Sequence, residues 1–257
     1  MLWRQVRILN SEFRPFGLRI SAFGFYFLSR GAGAWEILGR MPKLAKTIIA
    51  IALLPVCLAE GSALWSVIQA SGKADTIWVA TFSGAACWVV IYLLLPKPMW
   101  VYVFGHELSH AVWTWIMGGR VKEFKASADG GQVIVTKNNF VIALAPYFFP
   151  IYAVLVMLVF AIGNSLWGWN RFVAWFHLCL GAAYAFHVTL TVHILKFRQT
   201  DITSQGYLFS AVIIFLGNIT TLLIGIPLLT SKVDVLTALG WWMERTGEVF
   251  HRLGQLL

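Results

Sequence analysis

Six apolar stretches, each about as long as a bilayer is thick, constrain this chain more than any other feature. They run over residues 46–70, 76–95, 99–117, 140–162, 172–195 and 207–229. At about 1.5 Å of helical rise per residue, each covers most or all of an apolar layer about 30 Å deep. The breaks between them carry turn chemistry: Ser71-Gly72-Lys73, Pro96-Lys97-Pro98, Gly118-Gly119, and the stretch from Asn164 to Asn170. Only 12% of the 257 residues are charged and 59% are apolar. A soluble domain carries about twice that charge, so an ordinary soluble enzyme, a disordered chain and a coiled coil are all excluded. The expected fold is an all-α polytopic membrane protein of about six transmembrane helices, integral and multi-pass, with the lipid bilayer as its first partner.

Three regions follow. Residues 1–45 are mixed and basic, and residues 16–29 within them read as an amphipathic helix lying in the membrane plane. Residues 46–229 form the six-span domain. Residues 230–257 read as an amphipathic tail, with Trp241, Trp242, Phe250 and Leu253 set against Glu244, Arg245 and Arg252. The N-terminus has no clean apolar run followed by a cleavage site, so a removable signal peptide is not expected. Cys57, Cys87 and Cys179 stand far apart inside apolar stretches and read as small buried hydrophobes. The 20 Lys+Arg against 11 Asp+Glu set topology and meet anionic lipid. No nucleic-acid partner is expected, because no stacking-plus-basic motif accompanies that charge.

One stretch breaks the helical rhythm. Residues 120–139 alternate at Val121, Glu123 and Lys125 and become β-branched over residues 132–136, with Asp129-Gly130-Gly131 between as a turn signal. A β-hairpin is therefore expected after the third span.

That third span holds His106-Glu107-Leu108-Ser109-His110, an HExxH pattern. Positions i and i+4 share one helix face, so both imidazoles reach one Zn2+. Glu107 lies about 100° round the helix and reaches a water on the metal rather than the metal itself. The metal lowers that water's pKa toward about 7, and Glu107 takes the proton as general base. With 6 His and 11 acids in the chain, chance supplies about 0.006 such patterns. A structural His pair around a buried Glu is the plain alternative. It must absorb an insertion penalty of about 2.5 kcal/mol or more for an acid inside a span.

Here the chain resembles the site-2 protease type of intramembrane zinc metalloprotease. The resemblance rests on Gly105-His106-Glu107-Leu108-Ser109-His110-Ala111, then Gly118-Gly119-Arg120-Val121. It continues through the hairpin's Gly130-Gly131-Gln132-Val133 and the Ala143-Leu144-Ala145-Pro146-Tyr147 run that opens the next span. It implies hydrolysis of peptide bonds in or beside a transmembrane segment of a membrane-protein substrate, with Glu107 catalytic and Zn2+ on His106 and His110. It also implies an Asp on a later helix as third ligand. The usual Asp-Gly context is missing, and the chain offers Thr200-Asp201-Ile202 instead. The plain alternative for Asp201 is a loop residue capping the sixth span.

His187 competes as third ligand or transition-state donor, with His193 and His177 behind it in the same span. A membrane His is more often hydrogen-bonded to a neighbouring helix. His177 and His187 are ten residues apart, about 80° out of alignment, and do not serve one site together. Glu60 in the first span lines a water path or makes a buried hydrogen bond. Asn218 in the sixth reads as a helix–helix hydrogen bond. Pro146 and Pro150 predict a kinked helix.

A substrate helix hides its peptide bonds in its own hydrogen bonds, and an exposed strand edge offers replacement partners. Gly130, Gly131, Gln132 and Val133 are the expected substrate-binding residues. Six crossings put both termini on one side, with thirteen Lys and Arg there against seven opposite. The positive-inside rule then faces the hairpin outward, while the resemblance implies that hairpin and zinc lie near the cytosolic face. Two other functions stay open: a catalytically silent metal-binding scaffold, and a cation transporter using His106, Glu107 and His187. The inverted repeats of many transporters are not evident.

Overall fold

The computed structural model describes residues 41–127 and 130–256. Most of the basic N-terminal region, including residues 16–29, and the hairpin's Asp129 lie outside the described residues. The elements in chain order are α1 (Lys43–Ser71), α2 (Asp75–Leu94), α3 (Met99–Ile116), β1 (Val121–Ser127), β2 (Gly130–Val135), α4 (Phe140–Phe148) and α5 (Ile151–Trp167). A 3-10 turn (Trp169–Phe172) then leads to α6 (Val173–Leu195), α7 (Thr200–Gln205), α8 (Tyr207–Thr230) and α9 (Val235–Leu256). The fold is an all-α polytopic membrane protein with a two-stranded hairpin, as expected. Its outer face is apolar, with Leu58, Val79, Leu94 and Leu158 all exposed, the inverse of a protein dissolved in water.

Helices form at all six apolar stretches, and two details differ from the sequence expectation. The helices long and apolar enough to cross a membrane are α1, α2, α6 with its preceding 3-10 turn, and α8. Together the pair α4 and α5 is also long and apolar enough, but it is bent by 74° at a short break, as a broken span or a re-entrant loop is. Pro150 causes that break. It cannot donate a helical hydrogen bond, and it pushes Phe149 to an extended conformation at φ −100° and ψ 105°. The other difference is α3. It is helical where expected, but His106, Glu107, Ser109, His110 and Thr114 dilute its apolar character, and it is not among the crossing helices.

Pair contacts give the directions. Lys46 bonds Gln205, Glu60 accepts from Thr220, and the Ser71 and Thr230 hydroxyls meet at 3.2 Å. The partners advance together along both helices, so α1 and α8 run parallel. Trp88 donates to Thr189 and Tyr92 meets the His193 ring, so α2 and α6 are parallel too. This second pair approaches closely because Gly84 and Gly181 face each other. A Cβ on Gly84 would stand 1.8 Å from the Leu178 carbonyl oxygen, and one on Gly181 would stand 1.9 Å from that of Thr81. Small residues at such a crossing let backbones touch, which drives helix association where lipid removes the hydrophobic incentive.

Tyr152 packs on Phe186 and Phe160 on Phe176, so α5 runs antiparallel to α6. One end of the bundle therefore gathers the starts of α1 and α8 and the ends of α2 and α6. α3 begins there, with Met99 and Tyr102 against Leu190 and Ile194. It finishes there as well, because Met117 meets Asn139, and Phe140 stacks edge-on with Phe209 at the start of α8. At about 1.5 Å per residue, α3 is about 27 Å long, and both of its ends meet this one end of the bundle.

The hairpin sits at this same end. Its loops and helix tips carry Lys43, Lys46, Lys97, Arg120, Lys122, Lys125, Lys137, Lys196 and Arg198. The opposite turns carry Lys73, Arg171 and Lys232. With α3 no longer counted as a crossing, the positive-inside rule and the family resemblance agree: the hairpin end is expected to face the cytosol. In a variant cleared of native cysteines, Lys125→Cys should label from the cytosolic side only and Lys73→Cys from the other. Labelling of both from one side would overturn this orientation.

Candidate metal centre

The HExxH helix presents His106 and His110 one turn apart, with ring centroids 5.0 Å from each other. What meets them is Asp201. The short helix α7 is pinned by Ile202, which is buried against Leu144, Ala145, Tyr147 and Phe148 of α4. Gly206, at φ 96°, then turns the chain sharply into α8, and the Ser210 hydroxyl donates to the Ile202 carbonyl. Held this way, Asp201 Oδ2 lies 3.4 Å from His106 Nε2 and 3.7 Å from His110 Nε2. Tyr147, almost fully buried, donates its hydroxyl to the same oxygen at 3.1 Å.

These distances decide what the cluster is suited for. Direct imidazolium–carboxylate hydrogen bonds are shorter, about 2.7–2.9 Å. A tetrahedron with bonds of about 2.1 Å has edges of about 3.4 Å, close to both separations. His106, His110 and Asp201 offer ligand atoms that all lie within 4.8 Å of one another, a group able to hold a metal ion. The tautomer of His110 agrees. Its Nδ1 meets the Ile142 carbonyl at 2.8 Å, so the proton sits there and Nε2 is left bare toward Asp201. Burial alone would raise the Asp201 carboxyl. In the metal-free site, protonated imidazoles facing it override that and hold the group well below the usual carboxylate range, so it stays an anionic oxygen.

Glu107 lies under the hairpin. A Cβ added to Gly131 would stand 2.4 Å from Glu107 Cγ and 2.8 Å from Val103 Cγ1. Only a residue without a side chain lets β2 come down onto the acid. The strands pair from Val121↔Val135 to Ser127↔Gly130, with a bulge between Val121 and Glu123. Gly130 and Gly131 thus belong to β2, whereas the sequence placed them in the turn. Gly130 also lines an open groove of about 560 Å³ with Phe104, Phe124, Lys125, Ala126 and Ser127. Gln132 and Val133 are half-buried opposite Lys125 and Phe124.

A family model described as Peptidase M50B-like matches residues 78–197. Residues 78–197 are thus similar to the site-2 protease family. Neither the curated proteins nor the solved structures contain a match. The matched segment takes in HExxH, the hairpin, α4, α5 and α6, and stops just before Asp201. A membrane metallopeptidase of this general kind accounts for the histidines, and Asp201 joins them through geometry alone.

The remaining candidates separate cleanly. His187 lines a small cavity with His106 and is not one of the residues grouped around Asp201. His193 packs against Tyr92 and Phe197, and His177 against Phe176 on the earlier turns of α6. Glu60 is fully buried and accepts from Thr220 at 2.6 Å, tying α1 to α8. Asn218 donates to the Tyr147 carbonyl at 3.1 Å, bracing the helix that supports the site. Tyr147 is the residue that sequence reading missed as a partner of Asp201. Its only signal was its place in the Ala-Leu-Ala-Pro-Tyr run.

Proposed function

We infer that this protein is an intramembrane zinc metalloendopeptidase that hydrolyses peptide bonds in or near transmembrane segments of membrane proteins. The observation that carries the reading is the approach of Asp201 to both imidazoles at tetrahedral-edge distance beside a Glu held under a strand. His106, His110 and Asp201 would hold Zn2+, whose donor preferences match two neutral imidazoles and one carboxylate. When bound, zinc supplies Lewis-acid polarisation of the scissile carbonyl and acidifies a coordinated water.

Every other step belongs to the chain. Glu107 takes the proton of the attacking water and passes it to the leaving amine. Tyr147 keeps Asp201 aimed at the histidines. Among the described residues β1 and β2 pair only with each other, which leaves an outer edge where an unwound substrate adds as a strand. The groove beside Phe104 and Phe124 is large enough for several substrate side chains. Gly130 and the backbone of Gln132 and Val133 guide the substrate, and Gly131 sets the height of the strand above Glu107.

The test is cleavage of a panel of single-span substrates in proteoliposomes by the wild-type protein and by Glu107→Gln. Ion flux is followed in the same vesicles. Cleavage by wild type alone supports the peptidase. Equal outcomes with no cleavage support a silent scaffold, and flux that depends on Glu107 supports a transporter.

Gly131→Val is a second handle. It should push Glu107 aside, lower cleavage by about 100-fold and leave zinc binding unchanged, since a misplacement of about 1 Å costs that much. Full activity in this variant would remove the hairpin from the catalytic geometry.

A further inference from the structure

Beside His106 lies a small cavity of about 10 Å³. Tyr102, Gly105, His106, Ser109, Tyr152 and His187 are among its lining residues. That is room for about one water molecule, provided polar groups are there to hold it. Two of the polar side chains in the lining are already used: Ser109 donates to the Gly105 carbonyl and Tyr152 to the Val101 carbonyl. His106 Nδ1 and His187 Nε2 are not: both are buried without a hydrogen-bond partner, and the Tyr102 hydroxyl beside them has only the buried Thr191 hydroxyl near it. His187 is 7% exposed and Tyr102 6%, so bulk water does not serve them. Each such group left unmet costs about 1–3 kcal/mol, and here two imidazoles bring one each to a single cavity.

The chemistry of His106 says what they share. Its Nε2 faces Asp201, so in the metal-binding tautomer the proton is on Nδ1. A ligating imidazole needs an acceptor for that proton, as His110 finds in the Ile142 carbonyl. His106 finds none directly. In the tautomer with its proton on Nδ1, His187 offers Nε2 as an acceptor.

We propose that His106, His187 and Tyr102 share one ordered water that accepts from His106 Nδ1–H and donates to His187 Nε2. His187 is then a positioning residue that fixes the tautomer and rotamer of His106, and is neither a third metal ligand nor a transition-state donor. The inference rests on the metal-site reading above. It assigns the polar groups of α6 a task that the active-site face alone does not explain.

The experiment measures zinc affinity of the purified full-length protein by chelator competition, and the absorption of the cobalt-substituted protein at saturation. His187→Phe should weaken zinc by about 10–100-fold, the usual cost of losing an outer partner. The cobalt bands should stay where they are, because the ligand set is unchanged. His187→Gln, which restores an acceptor near Nε2, should recover most of the affinity. Tyr102→Phe deletes one oxygen and should weaken zinc less than His187→Phe does. Wild-type affinity in a folded His187→Phe overturns the proposal, and so do cobalt bands that move in that variant. If His187→Phe does not fold, wild-type affinity in Tyr102→Phe overturns it instead. His110→Ala separates the two levels. If it too binds zinc like wild type, the metal site itself is wrong. If it loses zinc while His187→Phe does not, only the water bridge is wrong.

Discussion

Glu107→Gln is expected to hold zinc as tightly as wild type and to lose cleavage by about two to four orders of magnitude. Glutamine keeps the shape of the side chain and its place beneath Gly131, so the hairpin still closes over it. The amide cannot take a proton, and the attacking water then lacks its base. His106, His110 and Asp201 are untouched, which is why metal content is the necessary control. Zinc content measured on purified protein, with cleavage of a single-span substrate in proteoliposomes, checks both halves. Full cleavage by the variant would refute the assignment of Glu107. A parallel loss of zinc would mean that Glu107 ligates the metal rather than acting beside it.

Asp201→Asn is expected to lower zinc affinity by at least about 100-fold, the upper end of what an outer-shell change costs. Asparagine is nearly isosteric and still accepts from Tyr147, so α7 should stay docked through Ile202. What it lacks is the anionic oxygen that lies 3.4 and 3.7 Å from the two imidazoles. Tyr147→Phe removes only the hydroxyl that steadies Asp201 and should cost less. Wild-type zinc affinity in Asp201→Asn would return this residue to a loop role and reopen the third ligand position.

Much of this site is legible along the chain because its core is local. His106, Glu107 and His110 stand within one turn of helix, and helical periodicity alone puts both imidazoles on one face. The hairpin is equally local, since alternation and a turn signal between strands are short-range patterns. Asp201 is different. It lies more than ninety residues from His106, and only the docking of α7 beneath α4 brings it home. Nor does a pattern in the sequence say that Gly131 touches Glu107, because that contact joins two elements through space. The number of crossings misleads for a related reason. An apolar stretch of 19 residues fits a bilayer by length, yet both ends of α3 meet one end of the bundle, and its tilt is set by what it packs against.

The sequence by itself determined that this chain lives in a membrane, that it carries an HExxH helix and that a hairpin follows it. Those properties depend on composition and on residues a few positions apart. The tertiary structure decided which acid faces the histidines, which glycine lets the strand reach Glu107, and which end of the bundle holds the site. It also decided that, among the described residues, the hairpin shares that end with most of the loop lysines and arginines. Each of these is a meeting of distant segments, fixed by helix packing and by backbone breaks such as Phe149-Pro150. The local pattern of the chain carries no record of such meetings.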